Sequence, residues 1–240
     1  LGYIPNHSAR SLAARYSQTL GLLYDNPSPN YIHQVQRGAL QSCQEAGYDL
    51  LLHPSPYGNK AIGDEIINLH RQGRIDGAIL TPPLSDMLEL TDALVAAGVP
   101  TALVSPAELR DDMLQVVTDD KATCIAMTRA LYALGHRRIA FSAGHPDHRA
   151  VGQRLEGFRS ALQELGLPVR DEYIAQGYNT FESGEAAGAA LLALPEPPTA
   201  IFAANDDMAA GVMRTALKFG VSIPGSLSVV GFDDIPLASQ

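Results

Sequence analysis

Several polar side chains stand where short apolar runs of the chain end. Thr81 and Ser105 close two such runs, and Asn205 and Asp233 follow directly after two others. Because open parallel sheets bind ligands beyond the carboxyl ends of their strands, these hydroxyl, amide and carboxylate groups indicate a binding site. Hydroxyl and amide groups donate hydrogen bonds to the hydroxyls of a polyol and accept them in return, and a carboxylate accepts them. The pattern therefore favours recognition of a hydroxylated small molecule.

The chain offers less for catalysis. Asp233 and Asp234 are paired carboxylates, but no nucleophile with its base and no glycine-rich phosphate-binding loop accompanies them. His145 and His148 form an HxxH arrangement in a loop, where a metal ion would need further ligands on a rigid element. We therefore predict that the chain is not an enzyme and uses no metal or other cofactor.

Composition limits the remaining classes. Hydrophobic residues make up 46% and charged residues 18% of the chain, enough for two modest cores. The net charge of -9 argues against a body that grips nucleic acid by general electrostatics. With no long apolar stretch and no signal-peptide pattern, a cytoplasmic location without a membrane partner is expected. Cys43 and Cys124 lie in apolar helical patterns and are interpreted as reduced core residues.

Short apolar runs alternate with longer amphipathic ones, as in a parallel sheet that helices cover on both faces. The strands are predicted at 20–24, 48–53, 76–81, 100–105, 138–143, 199–204 and 227–232. Most of the intervening helices end at a glycine just before the next strand, which is typical of a helix C-terminus. These glycines are Gly47, Gly73, Gly98, Gly135, Gly166 and Gly220. The pattern predicts an α/β fold.

The regular series is interrupted between 106 and 120 by a polar loop with a short strand. We place the crossing between two lobes there, with an N-terminal segment at 1–17, a first lobe at 18–118 and a second at 119–240. Each lobe is expected to have its own sheet, with the strand ends facing a shared cleft.

The segment before the first strand permits two interpretations. Asn6 or Ser8 can cap a short helix that runs to about Arg15 and carries Arg10 and Leu12. A helix this short is marginal alone. It is therefore either a solvated arm or a segment that folds on a DNA minor groove, with Leu12 as an apolar wedge.

Ten short motifs, spread over almost the entire chain, resemble those of one protein family. They are LGYIPN, ARSL, GLLY, EAGYDLLL, DGAILT, AGVPTALVS, LGHRRIAF, RLEGFRSAL, PPTAIFAANDDMAAG and SVVGFDDIPLAS. In this order they resemble the lactose/galactose repressor (LacI) family of transcriptional regulators. The resemblance implies two Rossmann-like lobes with parallel sheets, similar to type I periplasmic binding proteins. It also implies a homodimeric repressor that senses a small molecule such as a sugar or glycoside.

In this family ARSL is the hinge helix, so the resemblance implies that Ala9, Arg10 and Leu12 contact the operator minor groove. A helix-turn-helix head would precede residue 1, and a return strand and a last helix would follow residue 240. The alternative is a periplasmic sugar-binding protein, which shares the fold but is expected to carry a signal peptide and to lack ARSL.

The resemblance also implies the effector contacts. Tyr31 matches an aromatic residue that faces the ligand, and it otherwise packs as a staple on the following helix. Arg154 matches a ligand-clamping arginine. Its alternative role is a surface salt bridge with Glu156 or Asp147. Thr81 and Ser105 stand where relatives often carry charged or amide side chains, so they do not identify the ligand.

Asn205 and Asp233 match polar ligand contacts of the family, and helix capping is the alternative for Asn205 and Asp206. We expect Asp206 to be the cap and Asn205 the contact. Asn179 stands where relatives often have an aromatic ring, so the ring is either lost or supplied by Tyr178 or Phe181.

Asp119 and Asp120 form a small departure from the family pattern, because relatives usually carry Asp-Asn there. This change is expected to alter the polarity of the cleft or the crossing between the lobes. After a sugar or glycoside, the second effector class is a nucleoside or a sugar acid bound by Arg154.

Overall fold

The computed structural model describes residues 16–239. The predicted hinge residues Ala9, Arg10 and Leu12 lie outside the described residues. The chain splits into two compact units. Within the described residues, unit 1 comprises 16–26 and Ile32–Val117, and unit 2 comprises Pro27–Tyr31 and 118–239.

Unit 1 is built on a parallel sheet in the order β2-β1-β3-β4-β5. Its strands are β1 (Thr19–Tyr24), β2 (Asp49–Pro54), β3 (Gly77–Leu80), β4 (Thr101–Val104) and β5 (Leu114–Val116). Its helices are α1 (Pro29–Glu45, from Ile32 onward), α2 (Ile62–Arg71) and α3 (Leu88–Ala96). Leu23, Leu80 and Leu103 of the sheet pack with Ile66 and Leu94 of α2 and α3 in a solvent-free core.

Unit 2 has a parallel sheet in the order β7-β6-β8-β9. Its strands are β6 (Ile139–Ala143), β7 (Ile174–Gln176), β8 (Ala200–Ala203) and β9 (Ser228–Val230), and its helices are α4 (Asp120–Ala133), α5 (Arg149–Glu164), α6 (Phe181–Leu192) and α7 (Asp206–Lys218). Phe141 anchors the core, with ring centroids 5.1 Å from Phe158 and 5.3 Å from Phe202.

The predicted α/β class with parallel sheets is confirmed. All six glycines predicted to close helices have a positive φ. Glycine adopts this conformation without steric strain because it has no Cβ. The short strand predicted in the interruption is β5, whereas β7 was not predicted. It has only three residues and follows a 3-10 turn at Asp171–Tyr173, so it leaves no alternating pattern in the sequence.

At the edge of the unit 2 sheet where the strands begin, His136 bridges two neighbouring segments. Its Nδ1 lies 2.9 Å from the Thr199 hydroxyl, and its Nε2 lies 3.0 Å from the Ser228 hydroxyl. The polar side chains of the candidate site lie at the opposite edge of this sheet, where the strands end. His136 therefore links two segments of the sheet and is not part of the site.

Within residues 16–239 no helix is long and apolar enough to cross a membrane. The same residues contain no group of three or more His, Cys, Asp or Glu side chains placed to hold a metal ion. Cys43 and Cys124 are both buried free thiols.

Candidate functional site

Arg154 is the centre of a polar cluster in unit 2. It projects from α5, and its Nε donates a hydrogen bond of 2.9 Å to a carboxylate oxygen of Asp120 at the start of α4. Its Nη1 donates to the carbonyl oxygen of Ala204, directly after β8. The guanidinium carbon also lies 3.7 Å from the centroid of the Phe232 ring. The plane and position of the guanidinium are therefore fixed by contacts from several elements.

Asp233 faces this arginine from the loop after β9. One of its carboxylate oxygens lies 3.5 Å from Arg154 Nη1, and 16% of its side chain is exposed. The backbone places it there at a cost, because Asp233 and Asp234 have φ values of 104° and 55°. Burial raises the pKa of Asp233 to about 6, Arg154 opposes the rise, and Asp206, Asp120 and Asp207 add to it. The carboxylate is thus held in a poorly solvated, negatively charged setting.

Tyr31 lies near the same cluster, because the charges of Asp233 and Arg154 both act on its phenol, and Pro27–Tyr31 is part of unit 2. Its backbone N–H donates to the Ser28 hydroxyl at 3.3 Å. Burial and, after it, the negative charge of Asp233 raise the pKa of the Tyr31 phenol to about 12, against the opposing charge of Arg154. The phenol therefore stays protonated at neutral pH and presents a neutral ring beside the charged pair.

The sequence did not reveal that Asp120 is the partner of Arg154. The sequence placed Arg154 in a surface salt bridge with Glu156 or Asp147 as its alternative role, and that alternative is wrong. Glu156 pairs with Lys121, and Asp147 lies 3.8 Å from His145. The sequence singled out Asp120 because relatives usually carry Asp-Asn at positions 119 and 120. Its contact with Arg154 is visible only in the folded structure.

The comparisons with known proteins identify the family. A model described as the periplasmic binding proteins and sugar binding domain of the LacI family matches residues 17–240. The chain belongs to the LacI family. It is 32% identical over 244 residues to catabolite control protein A of Priestia megaterium, which covers 100% of this chain and 72% of that protein. To the ribose operon repressor of Escherichia coli (strain K12) it is 32% identical over 239 residues, with the same coverage of 100% and 72%.

A solved structure of the transcriptional regulator CelR with cellobiose has a TM-score of 0.81 and 29% identity, covering 100% of this chain and 72% of that one. The resemblance and the periplasmic-binding-protein-like fold predicted from the sequence are therefore confirmed. The chain is the effector-binding core of a LacI-family transcriptional regulator. The alternative of a periplasmic sugar-binding protein is wrong, because the relatives matched over the whole chain are regulators of transcription.

In this LacI-family core Asn205 has the role that the sequence assigned to Asp206. Asn205 caps α7, because its side-chain oxygen accepts from the Met208 N–H at 3.0 Å. Its amide nitrogen donates to the carbonyl of Asn179 at 3.1 Å. Asp206 instead accepts from the N–H of Ile235 at 2.9 Å, which ties the loop after β9 to α7. The expectation that Asp206 is the cap is corrected, while an effector contact by Asn205 stays a prediction.

Asn179 is buried and links two loops of the LacI-family core. Its side-chain oxygen accepts from the His145 N–H at 3.2 Å, and its φ is 62°. Of the two rings proposed to replace an aromatic residue here, Tyr178 is half exposed and meets His145 edge-on at 5.6 Å. The Phe181 ring lies 5.6 Å from the guanidinium of Arg214. Which of the two rings replaces the aromatic residue stays a prediction.

Thr81 and Ser105 lie in unit 1, whereas the Arg154 cluster lies in unit 2. The Thr81 hydroxyl is fully buried and donates to the carbonyl of Leu23 at 3.3 Å, so its proton already has a structural partner. Ser105 has a φ of 46°, and its N–H donates to the carbonyl of Val116 at 2.7 Å. An effector contact by either hydroxyl stays a prediction.

Proposed function

We propose that the core binds a sugar or glycoside as effector, with Tyr31, Arg154 and Asp233 as the principal contacts. The regulator then acts as a cytoplasmic homodimer on operator DNA and has no catalytic activity. Support comes from the family, from the named repressors among its relatives, and from a relative solved with cellobiose.

The main support for the proposal is that the Asp233 carboxylate is largely buried and lacks hydrogen-bond donors among the described residues. Only 16% of the side chain is exposed, yet no N–H or O–H of the described residues donates a hydrogen bond to it, and Arg154 lies at 3.5 Å. A carboxylate withdrawn from water without hydrogen bonds is costly. Hydroxyl groups of a ligand supply the missing donors, and they do so without bringing a second charge.

Arg154 and Tyr31 complement this acceptor. The arginine is fixed by Asp120 and Phe232, so a ligand that meets it does not have to order a flexible side chain. A tyrosine ring packs against the apolar face of a pyranose, while its hydroxyl donates or accepts. An acceptor, a fixed donor and a ring together match the alternating polar and apolar surfaces of a sugar.

Coupling to DNA follows from differential affinity. An effector that binds one arrangement of the regulator better than another shifts the population toward it, and operator affinity changes accordingly. Couplings of this kind are typically ~1–3 kcal/mol, or ~5–150-fold in affinity.

A thermal-shift and calorimetric screen tests the proposal. The purified chain is titrated with ribose, glucose, galactose, cellobiose, further glycosides and nucleosides. A ligand at a hundred times its dissociation constant adds about 2.7 kcal/mol to the free energy of unfolding. We expect at least one sugar or glycoside to bind, Asp233→Ala to abolish the signal, and Asp171→Asn to retain it. Asp171 is the matched control because it is exposed and precedes β7 in the same unit.

Binding of nucleosides alone would overturn the sugar class. Binding of a sugar that persists unchanged in Asp233→Ala would instead move the site away from this cluster.

A further inference from the structure

The surroundings of Arg154 determine what charge an effector carries. We propose that Asp120 is a specificity-determining residue that neutralises Arg154 and makes the site select uncharged sugars over sugar acids and sugar phosphates. This inference rests on the proposed function, because it refines the effector class of the same cluster.

Asp120 forms a buried ion pair with Arg154. The residue is buried, and one of its carboxylate oxygens accepts from Arg154 Nε at 2.9 Å. The other oxygen accepts from the Thr118 hydroxyl at 2.6 Å. Since both oxygens have donors and the carboxylate is withdrawn from water, its negative charge acts at short range on the guanidinium.

Asp120 is not the cap of α4. A carboxylate at the start of a helix commonly serves as its cap. In this chain Asp119 already caps α4, because its side chain accepts from the Ala122 N–H at 2.9 Å. Asp120 is thus free of that duty and points to Arg154, which lies 34 positions further along the chain.

Negative charges outnumber positive charges around Asp233. The ionised groups that act on Asp233 are Arg154 and the three carboxylates of Asp206, Asp120 and Asp207. Together with Asp233 itself, four carboxylates stand against one guanidinium. Asp207 is engaged by the Ser28 hydroxyl at 2.6 Å and the Asn30 amide at 3.0 Å, which leave its charge in place. An anionic ligand would meet this excess negative charge in a poorly solvated setting.

The hydrogen bonds of Arg154 limit the donors that it can offer to a ligand. A carboxylate or phosphate is best held by two parallel N–H donors of one guanidinium. Here Nε is bound to Asp120, and Nη1 is bound to the carbonyl of Ala204 and faces Asp233. Each two-donor edge of the guanidinium therefore has one nitrogen that is already bound. A single hydroxyl oxygen needs only one donor, so an uncharged sugar is not affected.

The substitution that separates charge from shape is Asp120→Asn. It keeps one oxygen that can accept from Arg154 Nε, it places an amide group that can donate to the Thr118 hydroxyl, and it removes one negative charge. Three matched sets of probes report the consequence. They are glucose with glucuronate, galactose with galacturonate, and ribose with ribose 5-phosphate.

In the wild-type protein we expect each neutral member that binds to do so at least tenfold more tightly than its anionic counterpart. In Asp120→Asn we expect that preference to fall at least fivefold, while Asp171→Asn keeps it. An anionic member that binds the wild type as tightly as its neutral counterpart overturns the inference. A preference that is unchanged in Asp120→Asn does so as well.

A second measurement does not depend on finding the effector. The pKa of the Asp233 carboxyl is followed by NMR in protein labelled with carbon-13 at aspartate. We expect it to fall in Asp120→Asn, since one like charge is removed, and to stay constant in Asp171→Asn. An unchanged pKa of Asp233 overturns the inference even if no sugar binds. Conversely, a lowered pKa without any sugar binding supports the charge balance and refutes the proposed function.

Discussion

Each unit holds an arginine between two aspartates, and the two trios behave differently. In both, the arginine lies within ion-pairing distance of each carboxylate. The distances are 2.6 Å and 2.7 Å for Arg110 to Asp92 and Asp112 in unit 1, and 2.9 Å and 3.5 Å for Arg154 to Asp120 and Asp233 in unit 2.

Access to water separates them. The carboxylate side chains of the unit 1 trio are 66% and 49% exposed, whereas those of the unit 2 trio are 3% and 16% exposed. Hydrogen bonds from Arg110 lower the pKa of Asp112. Burial raises the pKa of Asp233 to about 6 despite its arginine. Pairing therefore dominates at the surface, and desolvation dominates in the site.

The largest expected effect comes from removing the buried arginine. Arg154→Leu leaves Asp120 buried without its charged partner, and such a loss costs about 3–5 kcal/mol. Urea unfolding followed by circular dichroism measures it, with Arg110→Leu as the matched control. Equal losses in the two variants would show that burial does not distinguish the trios.

Asp233→Asn is expected to stabilise the protein at neutral pH. Because the pKa of Asp233 is about 6 in the folded protein and 3.8 without its surroundings, the protonated group stabilises the fold below pH 4. That contribution is lost as the pH rises through 6. The variant should therefore match the wild type near pH 4 and exceed it by about 2–3 kcal/mol near pH 7. A difference that does not change with pH would contradict a raised pKa.

The next effect concerns the approach of the helices that hold Asp120 and Arg154. A Cβ added at Gly157 on α5 would lie 2.4 Å from the carbonyl oxygen of Lys121 on α4, while one added at Gly152 meets nothing within 4 Å. Gly157→Ala is expected to cost about 1–3 kcal/mol through overpacking. Gly152→Ala should gain about 0.5–1 kcal/mol from helix propensity. Thermal unfolding compares the two, and a loss of the same size at both sites would refute the close approach.

The smallest effect is expected at the exposed trio. Arg110→Leu removes ion pairs that water already screens, so its melting temperature should differ little from that of the wild type. The remaining difference should vanish at about 1 M salt, where the Debye length is ~3 Å. If the difference in melting temperature persists at this salt concentration, the ion pairs of Arg110 are not screened by solvent and resemble those of the buried trio.

Local signals in the sequence were sufficient for most elements. The predicted strand at 20–24 is β1 at Thr19–Tyr24, and the one at 138–143 is β6 at Ile139–Ala143, because apolar runs bounded by turn residues mark buried strands. The cap of α7 was misplaced by one residue, since Asn205 and Asp206 suit that position equally well by residue type.

The partners of the site residues had no such signal. Arg154 and Asp120 are 34 positions apart, and the sequence suggested nearer carboxylates instead. Asp233 was placed after its strand correctly, but its raised pKa depends first on burial and then on the negative charges of residues in α4 and α7. Contacts between distant segments, and the burial they create, follow from packing that periodicity does not encode.

The brace formed by His136 provides an internal reporter for such experiments. Both of its ring nitrogens lie within 3.0 Å of a hydroxyl, at the edge of the sheet opposite the site. A ring proton held in a hydrogen bond exchanges slowly enough with solvent to be followed by proton–nitrogen spectroscopy. Its resonance would register opening of the sheet separately from occupancy of the site, so a single titration could tell ligand binding from loss of structure.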